Sequence, residues 1–238
     1  MVARTIDTTA FNLDLNNIVE EAFERCGREL RSGYDLRTAR RSLNLLTIEW
    51  ANRGINLWTI DEGSQLLVNG TATYDLPVDT IDLLEQVIRT GTGTSQIDIN
   101  VSRISVSTYA TIPNKNVTGR PIQIWIDRKT GATDSVAAVQ YPTYTLWPIP
   151  DGSQTWTLVY WRLRRIYDAG NGINGQDIPF RFLPALTAGL AYYLSMKLPG
   201  AGERVAQLKA DYDFQFQLAS EEDREKSSFR FVPRIASV

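Results

Sequence analysis

Closely spaced carboxylates are the residues of this chain with the clearest capacity for chemistry. They occur at Glu20/Glu21, at Asp79/Asp82 and in the cluster from Glu221 to Glu225. Two carboxyl groups across a cleft can hydrolyse a glycosidic bond without histidine, provided that one of them keeps its proton near neutral pH. Proximity in sequence does not raise a pKa, and each group falls in a helix or turn pattern that predicts solvent exposure. We expect surface charges, with a glycoside hydrolase as the alternative.

Other catalytic and metal-binding chemistries are limited by composition. The chain of 238 residues contains no histidine and one cysteine. It therefore lacks the usual general base, any Ser-His-Asp nucleophile, a cysteine-based zinc site and an intrachain disulfide. We expect Cys26 to be a small buried thiol in a helix. The sequence indicates no cofactor, no metal and no catalytic residue.

Two clusters of arginine are the strongest binding candidates. They comprise Arg37, Arg40 and Arg41 in a predicted helix, and Arg162, Arg164 and Arg165 at the end of a predicted strand. Solvated surface with local ion pairs is the favoured interpretation, and a subunit interface is the next. The net charge of −2 argues against tight DNA binding.

Periodic helices at both ends enclose a β-rich middle. Apolar spacing predicts helices within 16–53 and 183–226, with Gly33 closing the first helix, Asp35 capping the second and Gly54 ending it. We therefore predict an α+β fold, an antiparallel helical bundle from both chain ends with an inserted antiparallel β domain. The predicted segments are 1–54, 55–176, 177–226 and an extended C-terminal arm, 227–238.

The middle segment shows short alternating strands separated by turn residues. Strand patterns begin near Leu57, and Asn69-Gly70 is a strong signal for a two-residue hairpin. A second turn is predicted at 148–152, and the segment 104–110 fits either a short helix or an ordered loop. A small antiparallel sheet or sandwich is expected.

The C-terminal segment alternates apolar and basic residues. Its central part reads Phe229, Arg230, Phe231, Val232, Pro233 and Arg234. An extended segment of this type can add a strand to a partner's sheet or fill a groove, whereas a frayed terminus is the alternative. We favour docking.

Several motifs in a characteristic order resemble a known family. They are YATIPNKNVTGRP at 109–121, LWPIPD at 146–151, Ile178-Pro179 and ALTAGLA at 185–191. Together they resemble the head-to-tail adaptor, or connector, proteins of short-tailed bacteriophages. The resemblance extends from about Asn16 to Phe216.

This resemblance implies a structural role in the virion. Family members form a ring of twelve subunits that joins the portal to the tail and extends the DNA channel. It implies that the arm binds the portal, that a tail nozzle or tube protein docks below, and that DNA passes without specific binding. No catalytic residue is carried over. The alternatives are a carboxylate-dependent cell-wall hydrolase of a phage tail and another neck or tail-completion protein.

Location is also predicted. No apolar run reaches the length of a membrane span, and the N-terminus lacks the apolar core of a secretory signal. We expect no membrane partner, assembly in the host cytoplasm and a final position at the head–tail junction of the virion.

Overall fold

The computed structural model describes residues 14–31, 33–55, 57–129, 140–167 and 177–223. The chain divides into a helical unit, Met1–Trp58 with Ile166–Val238, and a β unit, Thr59–Arg165. The described residues form five α-helices and two four-stranded sheets, which confirms the predicted α+β class. The helices are α1 (Leu15–Arg25), α2 (Gly33–Asn52), α3 (Val106–Thr111), α4 (Leu183–Ser195) and α5 (Val205–Glu222). In this described part, no helix has the length and apolar character needed to span a membrane.

Helix α4 is the centre of the helical unit. Ten of its 13 residues are buried, and it contacts α1, α2 and α5. Pro184 lies in its first turn, where the missing N–H leaves no hydrogen bond unmade. The indole of Trp50 on α2 donates a hydrogen bond of 3.0 Å to the hydroxyl of Tyr212 on α5. Helices from the two chain ends therefore share one core.

Glycines end α1 and α2, although not all where the sequence predicted. Gly27, with φ +75°, follows α1, and the next N–H, of Arg28, returns to the carbonyl of Phe23 at 3.0 Å. This glycine-dependent cap closes α1, so the prediction that Gly33 closes it is wrong, since Gly33 begins α2. Gly54, with φ +77°, follows α2 as predicted, whereas the prediction that Asp35 caps α2 is wrong, since Asp35 lies in the first turn of a helix that begins at Gly33.

The β unit contains eight strands in two sheets. They are β1 (Ile60–Leu66), β2 (Thr73–Asp75), β3 (Thr80–Thr90), β4 (Ile97–Asn100), β5 (Ser102–Ile104), β6 (Gln123–Asp127), β7 (Thr143–Trp147) and β8 (Thr157–Arg164). The orders are β1-β8-β3-β4 and β2-β7-β6-β5. Buried residues from both sheets, among them Leu158 and Tyr144, form one hydrophobic cluster. Strand β5 pairs with β6 in parallel, so the expectation of a purely antiparallel domain is wrong.

The predicted hairpin at Asn69-Gly70 is wrong as well. A turn does form there, because Thr71 donates to the carbonyl of Val68 at 3.1 Å. However, β1 and β2 belong to different sheets. The Tyr74 hydroxyl accepts from the Val68 N–H at 2.8 Å and donates to its carbonyl at 3.2 Å. A hairpin ladder would need the same N–H and carbonyl of Val68. Because the Tyr74 hydroxyl occupies both groups, the chain forms no hairpin here and crosses between the sheets instead.

Three further connections refine the sequence analysis. The turn at 148–152 also links different sheets, since β7 and β8 do not pair. The segment predicted as a strand at Leu57 is a 3₁₀ turn, Leu57–Thr59, and β1 begins at Ile60. Of the two predictions for 104–110, the helix is confirmed as α3, which Ser105 caps by accepting the Thr108 N–H at 3.2 Å.

Candidate functional site

The carboxylates Asp79 and Asp82 in the β unit are both held by arginine, and their side chains are only 22% and 18% exposed, so the predicted solvent exposure is wrong for this pair. Asp79 accepts a hydrogen bond of 2.6 Å from Arg162, while Asp82 binds Arg103 at 2.8 Å and Arg128 at 3.3 Å. Burial alone would raise the pKa of Asp79, but the hydrogen bond and charge of Arg162 outweigh it and hold the pKa below its ordinary value. A general acid for glycoside hydrolysis needs the opposite shift.

The glutamates of α1 line an open groove in the helical unit. Glu20 and Glu21 are exposed there beside Phe180, and Glu21 is ion-paired with Arg25 at 2.9 Å. This groove holds no carboxyl that the protein shields from water, as a glycosidase acid requires. The predicted surface exposure of both glutamates is confirmed.

The C-terminal acidic cluster is only partly solvated. Glu221 and Glu222 are exposed, whereas the side chain of Asp223 is 1% exposed and paired with Arg181. The expectation that the whole cluster is solvated is therefore wrong at Asp223, because this residue ends α5 against the core. Glu225 lies outside the described residues. In the described ranges, no group of three acidic or cysteine residues is arranged to hold a metal ion.

The arginines at the end of β8 are bound within their own unit. Arg162 and Arg164 both reach the same oxygen of Asp61, each at 3.2 Å, which confirms that they share a strand face. Their side chains are only 13% and 10% exposed. Arg165 donates its backbone N–H to the Asp79 carbonyl at 2.8 Å. The local ion pairs expected of this cluster are present, and an interface role for it stays a prediction.

The arginines of α2 behave differently. Arg37 and Arg41 are exposed, and Arg40 is half-buried. Arg41 donates to the hydroxyl of Thr38 at 3.3 Å, and the Nε of Arg40 is buried without a hydrogen-bond partner in the described part of the chain. In the described part of the chain, none of these three guanidinium groups forms an ion pair with a carboxylate. They surround a shallow depression together with the exposed ring of Tyr34.

Cys26 is a buried thiol, as predicted. Its Sγ donates to the carbonyl of Ala191 at 3.2 Å. Burial raises its pKa to about 11, and the charge of Arg204 offsets part of that rise. A thiolate nucleophile is therefore disfavoured at this position.

Exposed apolar residues on α2 and α5 were missed by the sequence analysis. Leu45 and Ile48 on α2, and Phe214 and Leu218 on α5, are each at least 50% exposed. The signal was available in α5, where Phe214 and Phe216 are two residues apart and so cannot both face one core. Such exposed pairs are typical of protein–protein contact surfaces.

Two of the motifs behind the family resemblance, 109–121 and 146–151, are joined by hydrogen bonds in the β unit. Gly119 donates to the carbonyl of Ile149 at 2.8 Å, and Ile149 donates to that of Val117 at 2.9 Å. The indole of Trp147 donates to the carbonyl of Asn114 at 3.1 Å. The segment 109–121 and the turn after β7 therefore form one hydrogen-bonded structure.

Comparison with known proteins decides the family. A family model described as SU10 adaptor protein matches residues 14–234, nearly the whole chain. The chain belongs to the SU10 adaptor protein family. The resemblance to phage head-to-tail adaptors is confirmed, and the chain is a phage structural protein and virion component. A comparison with curated proteins gave no match.

The proposed docking arm lies outside the described residues. The family match ends at Arg234 and so includes Phe229, Arg230, Phe231, Val232 and Pro233. The portal-binding role of these residues stays a prediction. Membership of the SU10 adaptor family implies contacts with other virion components, but it does not identify the residues that make them.

Proposed function

We propose that this adaptor forms a ring that joins the portal to the tail and extends the DNA channel. The match to the adaptor family over residues 14–234 is the observation that carries the proposal. The proposed number of twelve subunits is taken from the resemblance to head-to-tail adaptors. The net charge of −2 fits a channel that lets DNA pass without gripping it.

The parts of the chain have separate roles in this proposal. An antiparallel bundle of the helices from segments 1–54 and 177–226 forms the body of the ring. The arm, 227–238, binds the portal, and the β domain, 55–176, faces outward or toward the tail component below. An arm that becomes ordered on contact would let the portal template the ring, so that assembly is sequential.

The first experiment measures mass by light scattering after size exclusion, for the chain alone and for the chain mixed with the portal of the same phage. We expect a monomer alone and a ring-sized complex with the portal. A chain that ignores the portal under all conditions contradicts the proposal, and the cell-wall hydrolase becomes the next hypothesis to assay. A chain that joins only a purified tail protein indicates a different neck component.

The arm is tested by deletion. A chain ending at Lys226 should keep the circular-dichroism spectrum of the full chain and lose portal binding. A second variant, with Phe229→Ser and Phe231→Ser in the full-length arm, removes only the aromatic anchors and keeps the length and charge of the arm. If the shortened chain still decorates portals, the arm is not the portal-binding element.

A further inference from the structure

The outward face of α2 combines apolar and basic side chains. Leu45 and Ile48 are 53% and 56% exposed, and Arg37 and Arg41 lie on the same side of the helix. At 100° per residue, Ile48 is about 200° from the buried Trp50, so this face points away from the helical core. Nothing among the described residues covers the apolar pair or neutralises the two guanidinium groups.

The outward face of α5 is apolar and acidic. Phe214 and Leu218 are 58% and 50% exposed, and the exposed Glu221 lies within about 60° of both, while the exposed Asp213 lies about 100° from Phe214 at the edge of this face. Phe214 is about 200° from the buried Tyr212 by the same geometry. The described contacts of this acidic pair are limited to a hydrogen bond of 3.0 Å from Gln217 to Glu221.

We infer that the outward face of α5 of one subunit packs against the outward face of α2 of the next. This inference rests on the proposed ring and names the surfaces that form it. With the two helices antiparallel, the apolar pairs would meet in the centre of the contact, Arg37 and Arg41 would lie at the end that carries Glu221, and Asp213 would lie at the other end. Buried apolar anchors with complementary charges around them are the usual anatomy of a specific interface.

The two faces are different, which fits a ring. A contact between unlike surfaces leaves one of each free at the ends of a dimer, so that further copies add until the ring closes. Within one subunit, α2 and α5 meet through their inward faces, where Trp50 bonds to Tyr212. In the described part of the chain, their outward faces stay uncovered, so that a second copy of this chain can pack against them.

Charge reversal tests the electrostatic part. The variant R37E/R41E should keep its fold, since both side chains are exposed, and should weaken subunit–subunit affinity at least tenfold. E221R should do the same. Combining all three substitutions restores opposite charges across the contact and should recover most of the affinity. The inference is wrong if either variant leaves assembly unchanged, or if the combined variant is no better than the two parents.

The readout must separate lateral contacts from portal binding. Native mass spectrometry separates the two when portals are mixed with fewer copies of the adaptor than they can bind. The unmodified chain should yield fully decorated and bare portals, because lateral contacts make binding cooperative. The reversed variants should yield a spread of partial occupancies. If the unmodified chain also gives that spread, the lateral contact is overturned while portal binding, and with it the proposed function, stands.

Cross-linking tests which faces meet. With a short bis-maleimide, the double variant L45C/F214C should give a ladder of oligomers on portal particles. Either single variant should give no ladder. The unmodified chain serves as the background, because its one cysteine, Cys26, is buried and should not react. Dimers from L45C alone would show a symmetric α2–α2 contact and overturn the inference. A ladder at high concentration without any portal binding would support the lateral contact and reject the portal role.

Discussion

The helical and β units handle similar clusters of arginine in opposite ways. In the β unit, Arg162 and Arg164 converge on Asp61 and are almost fully covered. In the helical unit, Arg37 and Arg41 stand exposed on one side of α2 and form no ion pair in the described part of the chain. The first cluster is bound within its own unit, whereas no described carboxylate pairs with the second.

The apolar residues show a related difference. The exposed pairs Leu45/Ile48 and Phe214/Leu218 of the helical unit each lie along one side of a long helix. In the β unit, Leu66 and Val68 form one exposed pair at the end of β1, and other large exposed residues, such as Ile97 and Val106, fall on separate elements. An apolar stripe with charge beside it is typical of an interface, so the helical unit carries the surfaces that fit the proposed subunit contact.

The largest expected effect separates the two sides of α2. Trp50 is fully buried, so Trp50→Ala should lower the free energy of unfolding of the helical unit by about 3–5 kcal/mol. Urea unfolding followed by the helical circular-dichroism signal measures the change. Leu45→Ala on the same helix is the matched control and should change stability by less than about 0.5 kcal/mol. Equal losses from both variants would show that the outward side of α2 also belongs to the core.

Much of the helical unit could be predicted because its information is local. Leu186, Leu190 and Leu194 recur every four residues and are all buried in α4. The end of α2 at Gly54 follows from the same local pattern. The end of α1 was missed because Leu30 continues the four-residue apolar spacing past Gly27 to Gly33, although the cap forms at Gly27.

The difference between the arginine clusters could not be predicted. Both are three arginines within five residues, yet Arg162 finds partners 83 and 101 positions away, at Asp79 and Asp61. The failed hairpin at Asn69-Gly70 has the same origin, because sheet membership depends on distant strands. Local patterns predict elements well, but partners distant in sequence decide which charges remain free.

The next largest effect compares one substitution in both units. Arg162→Met leaves Asp79 and Asp61 without this partner, and should cost about 2–3 kcal/mol, less than a fully buried pair because Asp61 is 41% exposed. Arg41→Met should be close to neutral for stability and should weaken ring assembly instead. Chemical denaturation of both variants measures the contrast. A stable Arg162→Met protein would remove the distinction between the clusters.

A smaller effect is the acid sensitivity of the β unit. Because the folded pKa of Asp79 lies below the value of 3.8 for a free side chain, folded protein binds this proton less readily than the unfolded chain. Its contribution to stability is complete above about pH 5 and is lost as the pH falls through the lower folded pKa.

Denaturation at a series of pH values below about 5 measures this contribution. The stability difference between the unmodified chain and Asp79→Asn should shrink as the pH falls. In an Arg162→Met background, the same difference should be smaller and less dependent on pH. A difference that grows towards acid pH would contradict the assigned role of Arg162.

The smallest effect concerns chemical reactivity, and it contrasts the inside of the helical unit with its outward side. A pKa of about 11 for Cys26, against the ordinary 9.0, lowers its thiolate fraction at pH 8 about a hundredfold, and burial blocks access as well. The native chain should therefore react slowly with a disulfide reagent and release one equivalent of thiol only after unfolding. Leu45→Cys should add one equivalent that reacts quickly in the native protein. Rapid native reaction at Cys26 would show that the helical core opens locally. In that event the exposed stripes could form part of an opening core, and their assignment to subunit contacts would lose its basis.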